Sequence, residues 1–213
     1  MKKKIAVLGS TGSIGKTLLS IIEKDKKNFE IVFLSANKNY KTVLKQAKKF
    51  NVKNLIISDK KSYLALKQKK SYPSKINIFN SFKNLNKILK QKLDYVMNSI
   101  VGIDGLDPTL KIIKFTKKIA IANKESIICG WNLIEKELNK NNTQFIPVDS
   151  EHFSLWFGLK NLEYKKIEKI YLTASGGPFI KTPLNNFKNI SIKHAIKHPN
   201  WKMGKKISID SAT

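Results

Sequence analysis

The sequence contains no arginine, so its 41 basic residues are all lysine, set against 15 acids for a formal net charge of +26. Such an excess would attract a polyanion. The guanidinium fork that reads bases and grips phosphates is missing, however. The lysines are strewn along helical stretches, as at Lys45, Lys48, Lys49, Lys67, Lys69 and Lys70, with no aromatic platform interleaved. We read them as solvated helix faces and expect no nucleic-acid partner. Cysteine occurs once, at Cys129, which excludes an internal disulfide and suits a reducing cytoplasm. Within its apolar run it reads as a small core residue. No stretch reaches the ~20 apolar residues that span a bilayer. Lysines 2 to 4 lead into an apolar run, Ile5 to Leu8, that breaks at Gly9 and is too short for a signal peptide. The expectation is a cytoplasmic protein without membrane attachment.

What the chain does have is 41% hydrophobic residues, arranged in alternating short apolar runs and amphipathic stretches. Ile5–Leu8, Glu30–Ser35, Asn54–Ile57, Ile76–Phe79, Tyr95–Met97, Ile119–Ala122 and Thr143–Ile146 read as strands. Between them lie helical spacings: Ile14, Leu18 and Ile21 or Ile22; Val43, Leu44, Ala47 and Phe50; Lys60–Lys69; Phe82–Leu89; Leu110–Phe115; and Ile127, Trp131, Ile134 and Leu138. Repeated strand-helix units imply an α/β fold, a Rossmann-like, doubly wound and mainly parallel sheet with helices on both faces. Ligands then sit beyond the carboxyl ends of the strands. After Asp149 a helical piece, Phe153–Leu159, and a strand, Ile167–Leu172, give way to long Gly-, Pro- and Ser-containing loops of a functional rather than filler character. We place the domain boundary near residue 147.

Gly9-Ser10-Thr11-Gly12-Ser13-Ile14-Gly15 falls between the first strand and first helix. Glycines there allow a sharp turn and close approach of a pyrophosphate to a helix N-terminus. The end of the second strand, Ala36-Asn37-Lys38-Asn39 with Lys41 beyond, offers no acid for a ribose hydroxyl, which favours NADP(H) over NAD(H). Asn123-Lys124-Glu125 follows the strand Ile119–Ala122. Asn123 is either an N-cap, with Glu125 favouring the first helical turn, or a cofactor contact beside a substrate-binding Lys124. Pro147-Val148-Asp149-Ser150-Glu151-His152 places two carboxylates at a strand end, suited to a hard divalent cation that polarises a carbonyl. Thr173–Phe179 exposes small residues to an anion, His198-Pro199-Asn200-Trp201-Lys202-Met203-Gly204 sets a candidate proton donor near an aromatic, and Ser208–Thr213 adds hydroxyls.

Taken in order, Gly-Ser-Thr-Gly-Ser-Ile-Gly, Ala-Asn-Lys-Glu, Pro-Val-Asp-Ser-Glu-His, Ser-Gly-Gly-Pro-Phe, His-Pro-Asn-Trp-x-Met-Gly and Asp-Ser-Ala-Thr resemble the 1-deoxy-D-xylulose 5-phosphate reductoisomerase family from Gly9 to Thr213. The resemblance implies a cofactor-binding domain over residues 1–147 and, over residues 148–213, the N-terminal part of a second α/β catalytic domain, with NADPH held by Thr11, Gly12, Ser13, Ile14, Asn37, Lys38, Asn39, Asn123, Glu125 and Gly204. It implies Mg²⁺ or Mn²⁺ on Asp149 and Glu151, and a sugar-phosphate substrate on Lys124, Ser150, Glu151, Ser175, His198 and Ser211. The catalytic set would be Lys124, Asp149, Glu151 and His198, with Trp201 and Met203 on a lid. The implied reaction is isomerisation and NADPH-dependent reduction of the substrate to 2-C-methyl-D-erythritol 4-phosphate, for isoprenoid precursors, by a homodimer. The resemblance also implies that the third metal ligand, the Asn and Lys that bind the phosphate and a helical C-terminal domain lie beyond Thr213, so that this chain alone is an expected fragment with a separate question of activity. The residues themselves leave open a cofactor-binding remnant without catalysis and another NADP-dependent sugar-phosphate or homoserine-type dehydrogenase. Asn37 stands where the family commonly has Gly, a change that Asn tolerates in backbone angle.

Overall fold

The computed structural model describes residues 1–68, 75–172, 176–202 and 204–212, the side chains of 206, 207 and 210 excepted. The chain divides into two compact units, Met1–Asn161 and Leu162–Thr213.

The first unit is built on seven parallel strands: β1 (Lys3–Leu8), β2 (Phe29–Ala36), β3 (Asn54–Ile57), β4 (Asn77–Phe79), β5 (Tyr95–Asn98), β6 (Lys118–Ile121) and β7 (Gln144–Pro147). Their order is β4-β3-β2-β1-β5-β6-β7, so the chain reverses its winding between β1 and β5. Helices cover both faces: α1 (Ser13–Lys24), α2 (Tyr40–Phe50) and α3 (Lys60–Lys67) on one, α4 (Leu85–Ile88), α5 (Leu106–Ile112) and α6 (Lys124–Asn141) on the other. The two-residue period of a strand splits β1 between them. Ile5 and Val7 pack with Leu19, Ile22, Val43 and Ala47, whereas Ala6 and Leu8 pack with Leu85, Ile88, Ile112 and Ile134. Burial on both faces is why these strands read as continuous apolar runs. Each fully buried Leu or Ile contributes roughly 1.5–3 kcal/mol. Asn51 and Asn142, at positive φ, end α2 and α6 with left-handed caps.

Several expectations shift. On α1 the buried positions are Gly15, Leu19 and Ile22, while Ile14 and Ile21 are exposed. Gly15 lies against the backbone of Gly9 and Ser10, which turns that face of the helix inward. Helix α5 starts earlier than its apolar spacing suggests, because Pro108 falls in the first turn, where its missing N–H costs nothing. Phe82–Leu89 is a 3-10 turn, Phe82–Asn84, leading into the short α4. Cys129 is exposed rather than in the core. The inward stripe of α6 runs Ser126, Gly130, Ile134, Leu138, and Cys129 lies off it. Helix α6 is bent at Gly130, where a Cβ would strike the side chain of Leu106.

Helix α7 (Ser150–Leu159) follows β7 within the first unit. The second unit holds 3-10 turns at Tyr164–Lys166 and Leu184–Asn189 and two short helices, α8 (Ile192–Ala195) and α9 (Lys205–Asp210). The strand expected over Ile167–Leu172 does not form. No described strand pairs with it, and Ile170, Tyr171 and Leu172 are exposed. An apolar alternation supplies side chains for a sheet but no partner for its backbone groups.

Candidate active site

The carboxyl end of β1 runs into Gly9 at φ +74°, where a Cβ would lie 2.8 Å from the carbonyl oxygen of Ser99. Only glycine passes there without strain. The turn is clamped on each side. Gly9 N–H donates to Ser35 Oγ at 3.0 Å, Ser10 N–H to the Ser35 carbonyl at 3.0 Å, and Ser99 Oγ–H to the Leu8 carbonyl at 2.7 Å. Buried Ser10 and Gln46 exchange two further bonds, Ser10 Oγ to Gln46 Oε1 at 2.8 Å and Gln46 Nε2 to the Ser10 carbonyl at 2.9 Å. Helix α1 is capped by Gly12 without any side-chain bond to its first N–H groups. Gly12, Ser13 and Ile14 are exposed there, and a helix N-terminus without a side-chain cap is suited to an anion.

From this turn a groove of about 980 Å³ runs along the strand ends. Gly9, Thr11 and Gly12 lie on it together with Asn37 and Lys38, as the spacing suggests. Its other lining was not singled out by spacing: Ser58 and Asp59 after β3, Asn80 after β4, and Ser99, Ile100 and Ile103 after β5. The acid absent from the Ala36–Lys41 window is thus supplied by a neighbouring strand as Asp59. Asn39 caps α2, its Oδ1 accepting from Thr42 N–H at 3.2 Å. Asn123 is buried. Its Oδ1 accepts from Ser126 N–H at 3.2 Å, and its Nδ2 donates to the Ile100 carbonyl at 2.7 Å. The capping reading of Asn123 is therefore correct, and the same side chain holds the groove wall at Ile100. Asn98 completes that wall by accepting from Ile100 N–H at 3.1 Å while donating to Gly105 and Thr109. Lys124 is exposed and Glu125 half-buried at the head of α6.

At the end of β7, Asp149 caps α7. Its Oδ1 accepts from His152 N–H at 3.3 Å and meets His152 Nδ1 at 2.8 Å. Partial burial pushes its carboxyl up, but hydrogen bonds from His152 and Glu151 outweigh this and hold it below the usual value. Ser150 Oγ–H donates to Glu151 Oε2 at 2.8 Å. Among the described residues no three His, Cys, Asp or Glu side chains gather as a metal cluster. Two hard carboxylates with a hydroxyl between them fit a divalent cation that takes its other ligands elsewhere.

In the second unit, Gly177 packs against the backbone of Ser211 and Ala212, and Phe179 N–H donates to the Ala212 carbonyl at 3.0 Å. Ser211 is half-buried; Gly204 and Trp201 are exposed. Ser175 and Met203 lie outside the described residues. His198 is buried, and its Nδ1 accepts from Asn200 and Trp201 N–H at 3.1 Å each. Its Nε2 is the one buried side-chain polar atom without a partner among the described residues, a vacancy that calls for an acceptor.

The sheet order and the glycine turn at its switch point define an α/β protein of the Rossmann-like class. Residues 5–130 match the family description for 1-deoxy-D-xylulose 5-phosphate reductoisomerase, and residues 145–213 match that for its C-terminal domain. The chain belongs to the 1-deoxy-D-xylulose 5-phosphate reductoisomerase family. It is 61% identical over 213 residues to the reductoisomerase of Pelagibacter ubique and 45% identical to that of Clostridium novyi, covering 99% of this chain and 55% of each relative. Among solved structures, the Zymomonas mobilis reductoisomerase in complex with NADPH superposes with a TM-score of 0.83 at 33% identity, over 100% of this chain and 54% of that one. A reductoisomerase in complex with NADPH, fosmidomycin and magnesium gives 0.84 at 33% identity, over 99% and 54%. The chain spans about half the length of the curated relatives it matches. No helix of the described residues is long and apolar enough to cross a membrane.

Proposed function

We propose that the chain carries the NADPH-binding domain, residues 1–147, and the first part of the catalytic domain, residues 148–213, of a 1-deoxy-D-xylulose 5-phosphate reductoisomerase. The observation that carries this reading is the glycine-bearing turn at Gly9–Gly15, opening onto a long groove at the sheet's switch point in a chain of this family. Thr11, Gly12, Ser13 and Ile14 receive the cofactor's pyrophosphate at the head of α1, the Gly12 N–H itself being held by the Gly9 carbonyl at 3.1 Å, and Asn37, Lys38 and Asn39 take its far phosphate. Asn123 and Glu125 hold the nicotinamide side, Asn123 acting through the wall it ties down at Ile100; within the second unit we assign Gly204 to the cofactor as well.

Asp149 and Glu151 would hold Mg²⁺ or Mn²⁺, with Ser150 and Lys124 on the substrate. Within the second unit Ser175, His198 and Ser211 take the substrate's phosphate end. With Nδ1 accepting two backbone N–H groups, His198 presents Nε2 as its donor to the substrate. When bound, the metal supplies charge stabilisation on oxygen and NADPH supplies the hydride. The sugar-phosphate substrate, the homodimer of the full-length family and a cytoplasmic setting, the last supported by a single cysteine, belong to the same proposal.

Fluorescence titration of the purified chain with NADPH, with and without Mn²⁺, tests the reading. Saturable binding that Mn²⁺ and fosmidomycin strengthen is expected. Cofactor binding without metal linkage would reduce the chain to a cofactor-binding remnant, and no binding would sink the assignment. Turnover of the xylulose phosphate, assayed on this chain and on one extended by the relatives' remaining segment, tests the activity itself.

A further inference from the structure

The groove presents a charge that the cofactor reading does not use. We propose that Asp59 is a selectivity-determining residue: its carboxylate, set beside Lys38, narrows the preference for a phosphorylated over an unphosphorylated dinucleotide. This inference rests on the cofactor reading above and adds a negative determinant to it.

The placement follows from the sheet. Strands β2 and β3 pair in parallel with Ala36 opposite Ile57, and Ser58 N–H donates to the Ala36 carbonyl at 3.1 Å. The two strand ends therefore leave the sheet side by side, Asn37-Lys38 from one and Ser58-Asp59 from the other. Asn80 fixes the second from beyond, its Nδ2 donating to the Ile57 carbonyl at 2.7 Å. Asn37, Lys38, Ser58, Asp59 and Lys60 all line the one groove. The Asp59 side chain is not free to swing away. Its Oδ1 accepts from Ser62 N–H at 2.8 Å as the N-cap of the eight-residue α3. Hydrogen bonds from Ser62, opposed by slight burial and aided by the charges of Lys38 and Lys61, hold the carboxyl below its usual value, so it is ionised at neutral pH.

A cation and an anion thus share the end of the groove that the second strand defines. Lys38 attracts a phosphate there, and Asp59 repels it without repelling a neutral ribose hydroxyl, for which a carboxylate is an acceptor. A cap needs only an oxygen acceptor, which Ser or Asn supplies equally well. The negative charge is therefore separable from the structural task, and its presence where an uncharged cap would serve gives it a consequence for ligand choice.

The experiment titrates NADPH and NADH separately into the wild-type chain, Asp59→Asn and Asp59→Ser at low and high salt, following nicotinamide fluorescence. Both variants keep the cap, and unchanged thermal melting checks this. The ratio of NADH to NADPH dissociation constants should rise about three- to tenfold in both variants at low salt, through tighter NADPH binding, and the gain should shrink at high salt. An unchanged or smaller ratio in the two variants, with wild type binding NADPH, overturns the inference and leaves the cofactor reading standing. Wild type binding neither dinucleotide overturns both. If Asp59→Asn melts early, Asp59→Ser decides alone, and a rise that ignores salt would assign the effect to shape and also overturn the proposal.

Discussion

Residues 1–161 and residues 162–213 are made from similar proportions of apolar side chains but use them differently. The first unit buries two layers against a seven-stranded sheet. In the second, Ala212 is the only buried hydrophobic residue among those described, while Leu162, Tyr164, Leu172, Leu184 and Ile192 are more than half exposed. The groove is accordingly preorganised by a core that would persist without ligand. Among the described residues of the second unit the backbone hydrogen bonds close local turns, apart from Phe179 N–H to the Ala212 carbonyl, which lies beside the packing of Gly177 on Ser211–Ala212. A unit with little described core of its own is a region whose order is open to change by whatever packs upon it.

The contrast breaks most visibly in the core. Phe33 is fully buried in the middle of β2, so Phe33→Ala should cost about 3–5 kcal/mol in urea denaturation. Leu184 is 83% exposed, and Leu184→Ala should stay within about 0.5 kcal/mol. Equal losses would mean that the second unit belongs to the same cooperative core. A subtler effect is expected at Gly177. A Cβ there would run into the Ser211 and Ala212 backbone, so Gly177→Ala should speed hydrogen exchange at Phe179 N–H, which depends on the Ala212 carbonyl. Amides of β1 and β5 should exchange unchanged. Faster exchange in the sheet as well would show the two units unfolding together.

What was legible in the sequence divides along the same line. Strands buried on both faces announce themselves as short apolar runs, and Asn54–Ile57 has the same bounds in sequence and structure. Ile167–Leu172 has similar composition yet forms no strand, because pairing is a property of the partner and not of the segment. At the site, the glycine turn is local, so its spacing reveals it. Asp59, Asn80 and Ser99 reach the groove from three other strands, and no window of sequence brings them beside Gly9. Asn123 shows a further limit: a motif position that reads as a ligand contact is also the cap of α6 and the tie to Ile100, two tasks that the residue type alone leaves undivided.

The smallest expected effect concerns ion pairs, and it sharpens the comparison by holding chemistry constant. In the first unit Asp94 clips the amino end of the sheet: its carboxylate accepts from Lys117 Nζ at 2.8 Å and from Lys4 N–H at 2.9 Å. These two bonds, Lys117 first, hold its carboxyl below the ordinary 3.8. A carboxyl lowered by folding contributes stability that is fully present above its unfolded value and is lost as pH falls through the folded one. The pair is largely open to water, so its worth is under about 1 kcal/mol. Asp94→Asn should therefore lower stability slightly at pH 7 and by less as pH falls below 3.8, visible as a flatter acid limb in urea denaturation against pH. Glu163 and Lys166 form a similar pair in the second unit, 3.3 Å apart with both side chains 72% exposed. Glu163→Gln should leave that limb unchanged, because a bond between two solvated, mobile side chains fixes nothing that folding needs.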